Sequence, residues 1–255
     1  MAEIKSWLSS RPVQEFKHLD PEAVQFIFAD PGKNKNRKDE SIDSNGNYHP
    51  VGTGVLSKLC GLKYGVSKKI TPIIVKVTDA NGKYNFLNIF QGLMSTQSDI
   101  VARLARDPEA KFIIIDTVDV FEAPNTGASP VYKNTYQHAL KQLSNSGNVV
   151  LVAAAVAQEK RGRDITYSFP SRLGKTPAEY PNLLVVGGVN KSFRVIDDAE
   201  DWIKTYAPAR DINVASRSPS GYWMFDGPLM AAASVAGVLA TFMSKQNVGA
   251  GEALS

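Results

Sequence analysis

The sequence predicts an α/β fold: a three-layer αβα sandwich on a mainly parallel β-sheet. Three observations carry that expectation. Five short apolar runs rich in β-branched residues recur without strict alternation, the pattern of strands buried on both faces. Segments with helical spacing separate several of them, which implies right-handed βαβ units with helices on both sides. The 255 residues are 43% hydrophobic, enough for one sizeable core, and α/β domains of this length commonly stay undivided.

Taken in order, the strand runs are Val24–Ala29, Ile73–Val77, Phe112–Ile115, Val149–Ala154 and Leu183–Val186. The first helix begins at Val51, with Val55, Leu59 and Leu62 on the same face. The second covers about 86–106 through Ile89, Leu93, Ile100 and Leu104, and the third about 132–143. The last, from Leu229 to about Met243, is apolar nearly all round, so it is expected wholly inside the core. A further short strand is expected near Ile212–Ala215. The domain is expected over 25–245, with an N-terminal extension over 1–24 and a C-terminal tail over 246–255. Asp30 and Asp116 directly follow strands. They should therefore lie at the carboxyl edge of the sheet, where ligands of such folds gather.

Charge and composition exclude little but point one way. The net charge is +4 and the pI about 9.0. The basic clusters at 33–38, 68–69 and 160–163 lie in polar stretches without interleaved aromatics, so no nucleic-acid partner is expected. No run approaches 18 consecutive apolar residues, so no membrane partner is expected. Cys60 is the only cysteine, which excludes an intramolecular disulfide. With no basic flank and apolar stretch at the start, the expected location is cytoplasmic.

Five segments then resemble, in order, the signature blocks of subtilisin-like serine proteases. VGTGVLSKLCGLKYGVSKK from Val51 is similar to the stretch around that family's catalytic histidine. FIFADPG from Phe26 resembles the strand ending in its aspartate, and SGNVVLVAAAVAQE from Ser146 the strand leading to its oxyanion asparagine. TPAEYPNLLVVGG from Thr176 and DGPLMAAASVAG from Asp226 complete the series, the last resembling the block around the serine. The resemblance implies a subtilisin-like fold over roughly 26–243.

Carried across residue by residue, the resemblance implies a degenerate triad. Asp30 matches the orienting aspartate. Val51 stands at the histidine, Leu229 at the serine and Val156 at the oxyanion asparagine. Acyl transfer of this type needs a nucleophile, a base and oxyanion donors, and these three side chains supply none. Neighbours offer little rescue. His49 could swing toward Asp30, but a base without a nucleophile forms no acyl-enzyme. Ser234 reads as a helix serine bonded to a backbone carbonyl, and Ser218 and Ser220 lie outside the motif.

The peptide groove of the family also differs. Thr117-Val118-Asp119-Val120 stands where its glycine-containing strand end would be, and Gly82-Lys83-Tyr84-Asn85 on the opposite rim, so the channel is expected narrowed or closed. His49, Asp116, Asp119 and Tyr84 remain as a candidate repurposed site. No cofactor and no metal site are expected, beyond at best a weak calcium position near Asn190, where an amide brings no charge. The 25 or so residues before the first strand are too few for an inhibitory propeptide domain.

Three functions stay open. One is an inactive pseudoprotease that binds or regulates a protein partner. Another is a non-hydrolytic isomerase or cyclase acting on a hydrophobic small molecule, with the carboxylates doing acid–base work. The third is a divergent endopeptidase.

Overall fold

The computed structural model describes residues 15–20, 22–29, 51–79, 81–117, 120–121, 130–155, 168–196, 200–215 and 221–255. Strands β1 (Gln25–Phe28), β2 (Ile73–Lys76) and β3 (Phe112–Asp116) alternate with helices α1 (Val51–Cys60) and α2 (Phe86–Leu104). There follow β4 (Val120–Phe121), α3 (Pro130–Ser144), β5 (Val149–Ala154), β6 (Ser168–Phe169) and β7 (Leu183–Val189). The chain continues through β8 (Thr205–Pro208), β9 (Ile212–Ala215) and β10 (Tyr222–Phe225) to α4 (Pro228–Gln246) and α5 (Ala250–Leu254).

A parallel sheet of order β3-β5-β7-β8 forms the centre, and β1 and β2 make a second parallel pair. Two antiparallel pairs, β9 with β10 and β4 with β6, lie outside these. Alternation along β5 divides the core. Val149 and Leu151 face Tyr136, Leu140 and Leu143 of α3 and Leu93 and Ile100 of α2. Val150, Val152 and Ala154 face Ala232, Ala236 and Leu239 of α4 and Ala250 of α5. Successive strand residues point to opposite faces, so one six-residue apolar strand serves both helical layers, as the unbroken run at 149–154 predicted.

The α4 side of the core depends on small residues. Ala231, Ala232, Ala233 and Ala236 are fully buried. A Cβ on Gly237 would lie 2.7 Å from the Val66 Cβ and 3.2 Å from the Leu59 carbonyl oxygen. Glycine at 237 is therefore what lets α4 approach the end of α1.

Among the described residues β2 and β3 belong to separate parallel pairs, and three expectations need correction. The early runs are not buried on both faces: every residue of β2 and β3 is half-buried, whereas all six of β5 are buried. The last helix is not enclosed all round either. Val238 is 57% and Phe242 43% exposed, because a helix laid on one side of a sheet keeps an outer stripe whatever its composition. Finally, α1 stops at Cys60, and Leu62 lies beyond it, exposed.

The flanks pack into the domain. Phe16, Leu19 and Val24 are buried with Leu56 and Cys60 of α1, and Ala250 of α5 joins the α4 side of the core. By length and composition α4 could cross a membrane, and half of its apolar window is buried inside the fold. Packing on the sheet accounts for that apolarity.

Candidate functional site

The site sits where the N-termini of α1 and α4 meet the carboxyl end of β3. Val51 is the first residue of α1, and Leu229 the second of α4, after Pro228 at the first helical position. Proline suits that position, since its missing N–H would have had no partner in the first turn. Gly227, just before it, has φ +144, a conformation that disfavours other residues. Its N–H donates to the Ala209 carbonyl at 2.8 Å. Asp226 holds the same approach: its carboxylate accepts the Asp211 N–H at 2.8 Å and lies 3.6 Å from Arg210.

Val51 and Leu229 pack on one apolar cluster. Its buried members are Val55, Val214, Phe225, Met230 and Ala233, and Ile115 of β3 leans on it from the sheet. Val51 and Leu229, the residues that the resemblance matches to the family's base and nucleophile, thus lean on the same cluster. Both are partly buried. Ser234 is buried and its hydroxyl donates to the Met230 carbonyl at 2.7 Å, the helix-internal bond expected of it.

Asp116 does not join this cluster. It is the last residue of β3 rather than the one after it, and alternation sends it to the face opposite Ile115. There the Tyr136 hydroxyl, from α3, donates to its carboxylate at 3.0 Å. Tyr136 is itself only 2% exposed. This pair ties the strand end to α3, a positional role that the sequence did not reveal. Tyr84 is 36% exposed, forms a β-bridge with Thr78 and precedes Asn85, whose side chain caps α2 by accepting the Asn88 N–H at 2.8 Å. Asp30, His49, Asp119 and Val156 lie outside the described residues, as do Ser218 and Ser220.

Polar chemistry concentrates beside the far end of α1. Glu15, 2% exposed, accepts the backbone N–H of Tyr64 at 2.9 Å and of Lys63 at 3.1 Å, and the Ser57 hydroxyl at 3.4 Å. Ser57 in turn accepts the Ala215 N–H at 2.9 Å. Lys63 sits 4.9 Å from the ring centres of both Tyr64 and Tyr222. Burial, then the charge of Glu15, pushes the Tyr222 phenol above its ordinary pKa. This network anchors the N-terminal segment to α1 and β9. A lone glutamate in the segment before the domain carried no sequence signal for it.

No group of three or more His, Cys, Asp or Glu side chains is placed to hold a metal ion among the described residues. The Asn190 side-chain oxygen accepts the Ser192 and Arg194 N–H groups at 2.9 and 3.1 Å, which occupies it within its own turn.

Comparison with known proteins agrees with this architecture. A chain described as a cold adapted subtilisin-like serine proteinase superposes with a TM-score of 0.55 at 18% identity, over 88% of this chain and 76% of that one. Subtilisin-like protease 10 of Arthroderma otae is 30% identical over 210 residues, covering 79% of this chain and 45% of the relative. The chain is similar in sequence to subtilisin-like proteases over most of its own length and shares their fold. Subtilisin-like serine protease Pen ch 13.0101 of Penicillium rubens is also similar, 28% identical over 214 residues, or 84% of this chain and 48% of the relative. The chain thus spans about half the length of the curated relatives it matches. No family model matches it.

Proposed function

We propose that this subtilisin-like chain does not hydrolyse peptide bonds and serves as a binding or regulatory protein for a protein partner. The observation that supports the reading is the pair Val51 and Leu229. The positions matched to base and nucleophile carry hydrocarbon side chains, and both pack on one apolar cluster. Valine cannot take a proton and leucine cannot form an acyl-enzyme. Of the described carboxylates, Asp116 at the end of β3 accepts from Tyr136, and Asp226, three residues before Leu229, accepts the Asp211 N–H and lies by Arg210. That counts against the recruited isomerase or cyclase acting on a hydrophobic small molecule, which would need a carboxylate facing the apolar cleft.

The test is labelling of the folded full chain with a serine-directed fluorophosphonate, beside a broad peptide-cleavage assay. The reading expects silence in both. Labelling that disappears on heating, accompanied by cleavage, overturns it. That outcome would establish the second reading, a divergent endopeptidase, which takes its support from relatives named as subtilisin-like proteases.

A further inference from the structure

Three consecutive backbone N–H groups converge on one residue just past the end of α1. The Leu62 N–H donates to the backbone carbonyl of Glu15 at 2.6 Å, and the Lys63 and Tyr64 N–H groups donate to its two carboxylate oxygens at 3.1 and 2.9 Å. The Ser57 hydroxyl donates to the same carboxylate at 3.4 Å. Successive N–H groups turned inward form a concave anion site, and this one is closed over its occupant, since Glu15 is only 2% exposed. Glycine at 61 permits the approach, because a Cβ there would lie 2.3 Å from the Glu15 Oε1.

The helix itself does not favour this occupant. The C-terminal end of a helix carries negative partial charge and repels a carboxylate. Lys68 answers that charge, because its ammonium donates to the Gly61 and Gly65 carbonyls of the same turn. The turn is thus built to hold a carboxylate where α1 alone would disfavour one.

What the carboxylate fastens is the flank of the candidate corner. Phe16, Leu19 and Val24 of the same segment pack with Ala215, the last residue of β9. The Ala215 N–H donates to the Ser57 hydroxyl, which in turn bonds Glu15. Ala215 pairs with Tyr222 of β10, and Lys63 stands over the Tyr222 ring. Val214, next to Ala215, belongs to the cluster that carries Val51 and Leu229, as does Phe225 of β10. The segment therefore grips one end of the β9–β10 pair, and the rest of that pair floors the corner.

We propose that the turn at 61–64, with Ser57, is a carboxylate-binding site whose resident ligand is Glu15, and that the segment carrying Glu15 is a releasable latch on the β9–β10 side of the candidate corner. Units of this size can open while a central sheet stays folded. The inference concerns a site separate from Val51 and Leu229, so it stands whether or not the chain cleaves peptides.

Hydrogen exchange on the full folded chain tests the latch, and sodium acetate tests the site. In the parent, exchange at 62–64, 212–215 and 222–225 should share one opening, at least about tenfold more frequent than that of 149–154 in β5. In Glu15→Ala the site is vacated. Acetate should then slow exchange at all three segments, about tenfold at about ten times its Kd. Equal concentrations of sodium chloride should not, and the parent, its site filled by Glu15, should not respond.

Protection at 62–64 and 212–215 equal to that of β5 overturns the latch, because the segment would then leave only when the whole fold unfolds. Slowing by acetate at 62–64 alone overturns it too, since the site would not reach the corner. An acetate effect no larger than that of chloride overturns the carboxylate site. Should Glu15→Ala not fold, Glu15→Gln keeps the shape of the side chain and removes its charge. It should speed exchange at the three segments at least about tenfold, and unchanged exchange would overturn the carboxylate site.

Discussion

Replacing Leu229 by serine puts a hydroxyl at the position matched by resemblance to the family's nucleophile, and its expected effect is loss of stability without gain of chemistry. Leu229 is partly buried against Met230, Val214 and Phe225. Full burial of a leucine is worth about 1.5–3 kcal/mol, so a half-buried one contributes about 1–1.5 kcal/mol. Incomplete collapse of the site adds a cavity term, bringing the cost to about 2 kcal/mol. For a chain of this size each kcal/mol moves Tm by about 2–4 °C, so the variant should melt about 4–8 °C lower. Val51 contacts the same cluster, and the double variant Val51→His with Leu229→Ser should deviate from additivity by about 0.5 kcal/mol or more. Scanning calorimetry of the four proteins measures both quantities. Leu229→Ser alone should remain unreactive toward the fluorophosphonate, because nothing at position 51 can take the hydroxyl proton. A Tm within about 1 °C of the parent would refute the packing argument, since it would place Leu229 outside the cluster.

Glu15→Ala leaves the Lys63 and Tyr64 N–H groups without their acceptor; with each orphaned donor worth about 1–3 kcal/mol, urea titration should show a loss of about 2–4 kcal/mol. Gly237→Val forces α4 from Val66 and the Leu59 carbonyl and should cost at least about 1–3 kcal/mol in the same titration. Burial pushes the Cys60 thiol up to about 12 from 9.0, so a thiol reagent should modify it only in step with unfolding. The folded state holds that proton longer than the unfolded one, so stability should be unaffected by Cys60 below pH 9.0 and fall as pH rises above it; Cys60→Ala should flatten this limb. Both ring nitrogens of His18 are buried without a hydrogen-bond partner among the described residues, so His18→Leu should leave Tm unchanged or raise it.

The parts of the fold that were legible are those where one residue pattern has one solution. The run at 149–154 became β5 and the segment at 212–215 became β9 with the expected bounds. The strands at 205–208 and 222–225 went unseen. Thr205–Pro208 ends in a proline tolerated because β8 is the sheet's edge, and Tyr222–Phe225 exists by pairing with β9, a partner that local pattern does not name. That Leu229 and Val51 lean on one cluster shows in no local pattern, since they lie 178 positions apart in the chain. The Asp116–Tyr136 bond was hidden because periodicity places the tyrosine in an apolar stripe without saying where its hydroxyl ends. The separate pairing of β2 and β3 among the described residues was the least legible feature. Ile-Ile-Val-Lys and Phe-Ile-Ile-Ile read the same whichever strand they pair with.

The two apolar substitutions fit the way the fold builds this corner. Val51 opens α1 and Leu229 lies in the first turn of α4, and close packing of those helices brings the two positions onto one cluster. Here that packing rests on residues other than the pair itself: on Gly237 against Val66 and Leu59, and on the buried alanines of α4. The scaffold thus holds the corner closed independently of what fills it. A hydroxyl and an imidazole there need partners in a partly buried space, and removing either leaves the other unsatisfied. Two hydrocarbon side chains need only the cluster beneath them. On the reading proposed above, hydrocarbon side chains at this corner favour stability over chemistry, so Leu229→Ser should cost stability rather than restore function.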